Sequence, residues 1–125
     1  MYRSAKFRYQ GSVDWLFDQD DHVLEPGGRL LADAIVVALR ARGLHVSDVE
    51  LHEDYGWGFE STADDGAFYQ VLNAITTDDV CLTVGTDGWR RATSSHARDA
   101  YCGTLEAALG TIPGVADVVW EPWST

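Results

Sequence analysis

Basic residues are scarce in this chain: nine lysines and arginines stand against twenty aspartates and glutamates, for a net charge of −11 at neutral pH. That imbalance argues against nucleic acid as a partner, because its phosphates would be repelled. Long apolar runs are missing as well. None approaches the roughly 20 residues that a membrane-spanning helix needs, so no membrane partner is expected. The opening residues, Met1 to Tyr9, lack the apolar core of a secretory signal, which makes a cytoplasmic location the expectation. Only two cysteines occur, Cys81 and Cys102, at a spacing that matches no metal or redox motif. Both are expected as buried thiols rather than as a disulfide.

Motifs that carry chemistry are equally lacking. Gly27-Gly28 and the isolated Gly56-x-Gly58 are too short to cradle a phosphate. No nucleophile elbow surrounds Ser61, Ser94 or Ser95, and neither cysteine has a basic neighbour that would activate it. Asp18, Asp20 and Asp21 lie close to His22, yet they lack the glycine and the distal glutamate of a calcium loop. The expectation is therefore no enzyme, no cofactor and no metal.

What the chain does have is enough length and apolar content for one domain over residues 1–125, since 46% of its 125 residues are hydrophobic. Its most informative stretch is Val49 to Glu60. Val49, Leu51, Tyr55, Trp57 and Phe59 fall on odd positions, while Glu50, His52, Asp54 and Glu60 fall on even ones. Strand side chains alternate between faces, so this parity gives one apolar face and one acidic, water-facing face. Gly56 and Gly58 leave room beside Trp57 for another backbone or a bulky group. Trp57 reads as core, or as an interface anchor should it lie at a sheet edge. A bend near Asp54 to Gly56 would split the stretch into two neighbouring strands.

The remaining elements follow in chain order. Ser4 to Tyr9 alternates as a first strand, with Ala5, Phe7 and Tyr9 inward. Residues 11–26 read as a long polar loop anchored by Trp15-Leu16-Phe17. Pro26 to Arg42 reads as a helix whose inner face is Leu30, Leu31, Ala34, Ile35, Ala38 and Leu39, closed by Gly43. Asp65-Gly66 suits a tight hairpin turn before a central strand, Ala67 to Ile75, and a return strand, Val80 to Val84. Trp89-Arg90-Arg91 is expected to pair with carboxylates of the acidic half. Ser94 or Ser95 caps a second helix with Tyr101, Leu105, Ala108, Leu109 and Ile112 inward, and Val115 to Trp120 forms the last strand. The order β-α-β-β-β-β-α-β predicts an α+β fold. It is a two-layer sandwich with a mostly antiparallel sheet of five to six strands and two helices on one face. Such an order resembles a ferredoxin-like module with an extra hairpin.

Charge is unevenly spread along this order. Between Gly11 and Asp87 sixteen acids face three bases, −13, whereas the flanks sum to +2. This gradient would steer a basic partner toward one side. The segment Glu53-Asp54-Tyr55-Gly56-Trp57, set after one helix and before a glycine-turned strand pair, resembles small bacterial immunity proteins of polymorphic toxin systems over about residues 30–85. That resemblance implies a cytoplasmic inhibitor of a cognate toxin with a basic catalytic domain. The expected partner-binding residues are Asp18, Asp20, Asp21, Glu50, Asp54, Trp57, Glu60, Asp64 and Asp65, with Trp57 or Trp15 as apolar anchor. A monomer or weak homodimer is expected. The same charge pattern leaves two alternatives open: an acidic phage-type inhibitor that mimics nucleic acid, and a small-ligand or metal-binding module around His52 and Asp18 to His22.

Overall fold

The computed structural model describes residues 1–63, 66–86 and 94–124. Its elements are β1 (Tyr2–Tyr9), β2 (Leu16–Phe17), β3 (Val23–Glu25), α1 (Arg29–Arg40), β4 (His45–Val46) and β5 (Glu50–His52). They continue with β6 (Gly56–Ala63), β7 (Gly66–Thr76), β8 (Asp79–Gly85), α2 (Ser95–Leu109) and β9 (Val115–Trp120). Among the described residues the main sheet holds seven strands, ordered β4-β6-β7-β8-β1-β9 with β5 also pairing β6. Every neighbouring pair is antiparallel. The strands β4 and β5 are two halves of one edge strand, broken at Ser47-Asp48 where the apolar parity changes. The fold is the expected α+β sandwich.

Period-two alternation decides which face of each strand meets the helices. Ala5 and Phe7 of β1, Phe68, Leu72 and Ala74 of β7, and Val80, Leu82 and Val84 of β8 are all buried. Against them pack Leu31, Ile35, Val36 and Leu39 of α1 and Tyr101, Leu105, Ala108 and Leu109 of α2. Each of the valine, leucine, isoleucine and phenylalanine side chains among them contributes about 1.5–3 kcal/mol on leaving water. Among the described residues no helix covers the opposite sheet face, and Tyr69, Val71 and Thr83 there are only half-buried. One polar chain threads the core. The Tyr101 hydroxyl donates to Ser61 Oγ at 2.8 Å, and Ser61 donates to Gln70 Oε1 at 3.1 Å.

Four details depart from the sequence reading. First, α1 begins at Arg29 rather than Pro26, because Gly28 takes a left-handed φ of 105° and serves as N-cap without a side chain. The orphan donors there are met from a distance: Asp14 accepts from the Gly28 N–H at 2.9 Å and the Leu30 N–H at 3.3 Å. Second, Leu30 is not on the inner face; it is 60% exposed. Third, residues 11–26 are not merely a loop, since β2 and β3 pair as a separate two-stranded sheet. Fourth, Leu16 and Phe17 are half-exposed rather than anchored, although Trp15 beside them does donate its indole N–H to the Ala74 carbonyl at 2.9 Å.

Elsewhere the expectations hold, but for one cysteine. Ser94 caps α2 by accepting from the Ala97 N–H at 3.0 Å. Gly43 takes the left-handed φ of 87° that ends the first helical region. Both cysteines are free thiols as expected, but only Cys102 is buried; Cys81, expected buried too, is half-buried. Ala63 pairs with Gly66 across the expected β6–β7 hairpin, while Asp64 and Asp65 lie outside the described residues, as does Trp89-Arg90-Arg91.

Candidate protein-docking surface

The site begins with the alternation of β6. Trp57, Phe59 and Ser61 point into the helix layer and are buried, so Gly58 and Glu60 face the open side of the sheet. The register opposes Glu50 to Gly58 and His52 to Gly56, which puts Glu50 and His52 on that same open face. From the other side, β7 opposes Tyr69 to Glu60. Tyr69 lies across Gly58, where an added Cβ would sit 2.1 Å from the phenol oxygen. Its hydroxyl reaches His52 Nδ1 at 3.1 Å, and Tyr55 meets the same imidazole edge-on at 5.8 Å. The turn between β5 and β6, Glu53-Asp54-Tyr55, is reached through a left-handed φ of 53° at Glu53.

Electrostatics at this site run one way. Burial, followed by the nearby Glu50 and Glu60 carboxylates, pushes the Tyr69 phenol above its ordinary pKa. A hydrogen bond to Glu53 likewise holds the Tyr55 phenol up. Both therefore stay protonated at neutral pH, and the carboxylates supply the charge. Beside Tyr69 an open groove of roughly 800 Å³ runs toward the end of α1, lined by Arg40, Asp48, Glu50, Glu60 and Thr62 among others. Arg40 is the cation in it, already committed to Asp48 at 3.0 Å and to the Val46 carbonyl at 2.8 Å. Among the described residues no ion pair involves Glu50, Glu53 or Asp54. Two of the three bases of β1, by contrast, are ion-paired: Lys6 with Glu121 at 2.9 Å, and Arg8 with Asp78 at 2.8 Å and Asp117 at 3.6 Å; Arg3 donates to the Glu121 carbonyl at 2.7 Å.

Of the residues expected to bind a partner, Glu50 and Glu60 converge on this face and Asp54 occupies the turn leading into it. Asp18, Asp20 and Asp21 lie elsewhere, on the turn joining β2 to β3. There Asp18 accepts from the backbone N–H groups of Asp20 and His22 at 2.8 and 2.9 Å and meets the His22 ring at 3.3 Å. The ligand atoms of Asp18, Asp20 and His22 fall within 4.8 Å of one another, the one cluster among the described residues that could hold a cation. Trp57 is a correction: at 4% exposure it has no surface to offer a partner. Its indole N–H donates to the Pro26 carbonyl at 2.9 Å, and the Arg29 guanidinium stacks 5.3 Å from its ring centre. Trp15, half-buried over Gly27, is likewise a brace rather than an exposed anchor.

Sequence reasoning passed over Tyr69 as a site residue. It reads as one apolar position among many on β7, and only the register across β6 reveals its hydrogen bond to His52. What the cluster can do is present negative charge around an aromatic centre, a surface suited to guanidinium and ammonium groups. No protein-family model matches the chain, and neither curated proteins nor solved structures match it.

Proposed function

We propose that this protein is a stoichiometric inhibitor, of the immunity-protein kind, that binds and blocks a basic, nuclease-like partner through its acidic open face. One observation carries the reading. Among the described residues Glu50, Glu53 and Asp54 have no ion-pair partner on the side of the sheet that carries Tyr69 and Glu60, while Lys6 and Arg8 of β1 are paired with Glu121, Asp78 and Asp117. Concentrating like charge this way costs self-repulsion, and a cationic partner offsets that cost while gaining speed of encounter. The fold keeps the charges in place, since Glu50 and Glu60 stand on paired strands and Tyr69 is held by His52.

The reading is tested by co-purification from the native host followed by activity assay of what is recovered. Expected is a basic protein whose activity stops at a one-to-one ratio. Glu50→Lys combined with Glu60→Lys should relieve that inhibition. Recovery of no basic protein, or inhibition indifferent to this double variant, contradicts the reading. The metal-binding alternative predicts that divalent ions raise the melting temperature; inhibition predicts no such rise.

A further inference from the structure

The hairpin β2–β3 is the least expected part of the molecule, because its large apolar side chains face water. Leu16, Phe17, Val23 and Leu24 are 49%, 50%, 47% and 56% exposed. Phe17 opposes Val23 on one face, where Trp15 stacks on Phe17 at 6.1 Å between ring centres. Leu16 opposes Glu25 across a register shift, and Leu16 and Leu24 each alternate away from their strand neighbours Phe17 and Val23. Among the described residues the hairpin is hydrogen-bonded to no strand of the main sheet, and about half of each of these four side chains is left to solvent. Its turn carries Asp18, Asp20 and Asp21, the last two exposed.

We infer that β2–β3 is an insertion arm, entering a cleft with apolar walls and cationic groups at its floor on a basic protein partner. This deepens the inhibitor reading above and rests on it. A ribbon apolar on both faces buries both only inside a cleft; laid on a flat surface it would leave one side wet. The acidic turn leads the insertion and sets the sign of the floor. A second copy of this chain is a poor occupant, since two arms would bring like-charged turns together on molecules of net charge −11. The arm is also held at its base before any partner arrives, which reduces the ordering entropy lost on binding. Trp15 is tied to Ala74, Gly28 to Val13 and Asp14, and Trp57 to Pro26, while Arg29 stacks on Trp57 and pairs with Glu25 at 3.7 Å.

The test uses the full chain and a host of the stated chemistry: per-amino-β-cyclodextrin, an apolar cone rimmed by ammonium groups, with neutral β-cyclodextrin for comparison. Proton–nitrogen correlation spectra locate the binding. Shifts should centre on residues 16–24, with the cationic host bound about tenfold more tightly at low salt than the neutral one. Phe17→Ser combined with Leu24→Ser should abolish those shifts with the melting temperature unchanged, and Asp20→Asn with Asp21→Asn should remove the preference for the cationic host. Glu50→Gln with Glu60→Gln should leave arm binding as it was. Shifts centred elsewhere, equal binding of both hosts, or an arm-dependent dimer in native mass measurements would each overturn the arm. The inhibitor reading is judged separately, by the effect of the Glu50 and Glu60 variants on the co-purified partner.

Discussion

Tyr69 and His52 stand on strands that flank β6 from opposite sides, and their side chains close a 3.1 Å hydrogen bond over its backbone. The bridge exists because position 58 is glycine. An added Cβ there would lie 2.1 Å from the Tyr69 oxygen and 3.4 Å from the His52 Cβ. The obstructed atom is the far end of a side chain, so Tyr69 can swing away. Gly58→Ala should therefore keep the fold, cost about 1 kcal/mol and lose the His52 contact. At Gly56 the obstruction includes the Leu72 carbonyl at 2.9 Å, which is backbone and cannot move alone. Gly56→Ala should cost clearly more, about 2–3 kcal/mol. Urea melts of the two variants check the order.

Trp57 supplies a second prediction, because its role as a brace differs from that of an interface anchor. Trp57→Phe removes the indole N–H and strands the buried Pro26 carbonyl. It should lower stability by about 1–3 kcal/mol. Affinity for the co-purified partner should stay within about twofold, since the residue has no exposed surface to lose. Paired calorimetry and binding measurements separate the two effects.

The start of α1 depends on a residue fourteen positions upstream of its N-cap. Asp14→Ala leaves the N–H groups of Gly28 and Leu30 without that acceptor and should cost about 0.5–2 kcal/mol, the range of a lost N-cap. Amide exchange should speed up in the first turn of α1 and along β2–β3 together, because Asp14 ties the two.

Alkaline stability should depend on Tyr101. Burial pushes its phenol well above the ordinary value near 10, against a smaller opposing effect of the hydrogen bond with Ser61. A raised pKa in the folded state means the unfolded chain releases this proton first. The associated stability is fully present below about pH 10 and is lost as pH climbs above it. Tyr101→Phe should cost about 1 kcal/mol at neutral pH and make the alkaline fall shallower. Denaturant melts from pH 7 to 11 read both.

How much of this was legible in the sequence varies with the distance over which residues must cooperate. The alternation Val80, Leu82, Val84 and the spacing Tyr101, Leu105, Ala108 needed only local periodicity, and both lie where that periodicity puts them. The apolar parity of the chain changes at Ser47-Asp48, and the break between β4 and β5 falls there. Leu16 and Phe17 misled because apolar character reports what burial would gain, not whether another element is there to provide it. The true start of α1 was hidden because Asp14 caps it across a long excursion. Likewise, Glu50 and Glu60 were legible as candidates, but the His52–Tyr69 bridge between them needed the register of three strands. Trp57 was ambiguous in sequence, since the same parity suits a core residue and an edge anchor; the Pro26 carbonyl resolves it.

The central claim is that the open acidic face is a docking surface, and association kinetics with the co-purified partner test it most directly. The rate constant for association should fall steeply as salt rises from about 50 to 500 mM, and Glu50→Gln with Glu60→Gln should flatten that dependence and slow encounter about tenfold at low salt. An association rate equally insensitive to salt and to those two carboxylates would contradict the account and leave the charge a matter of solubility.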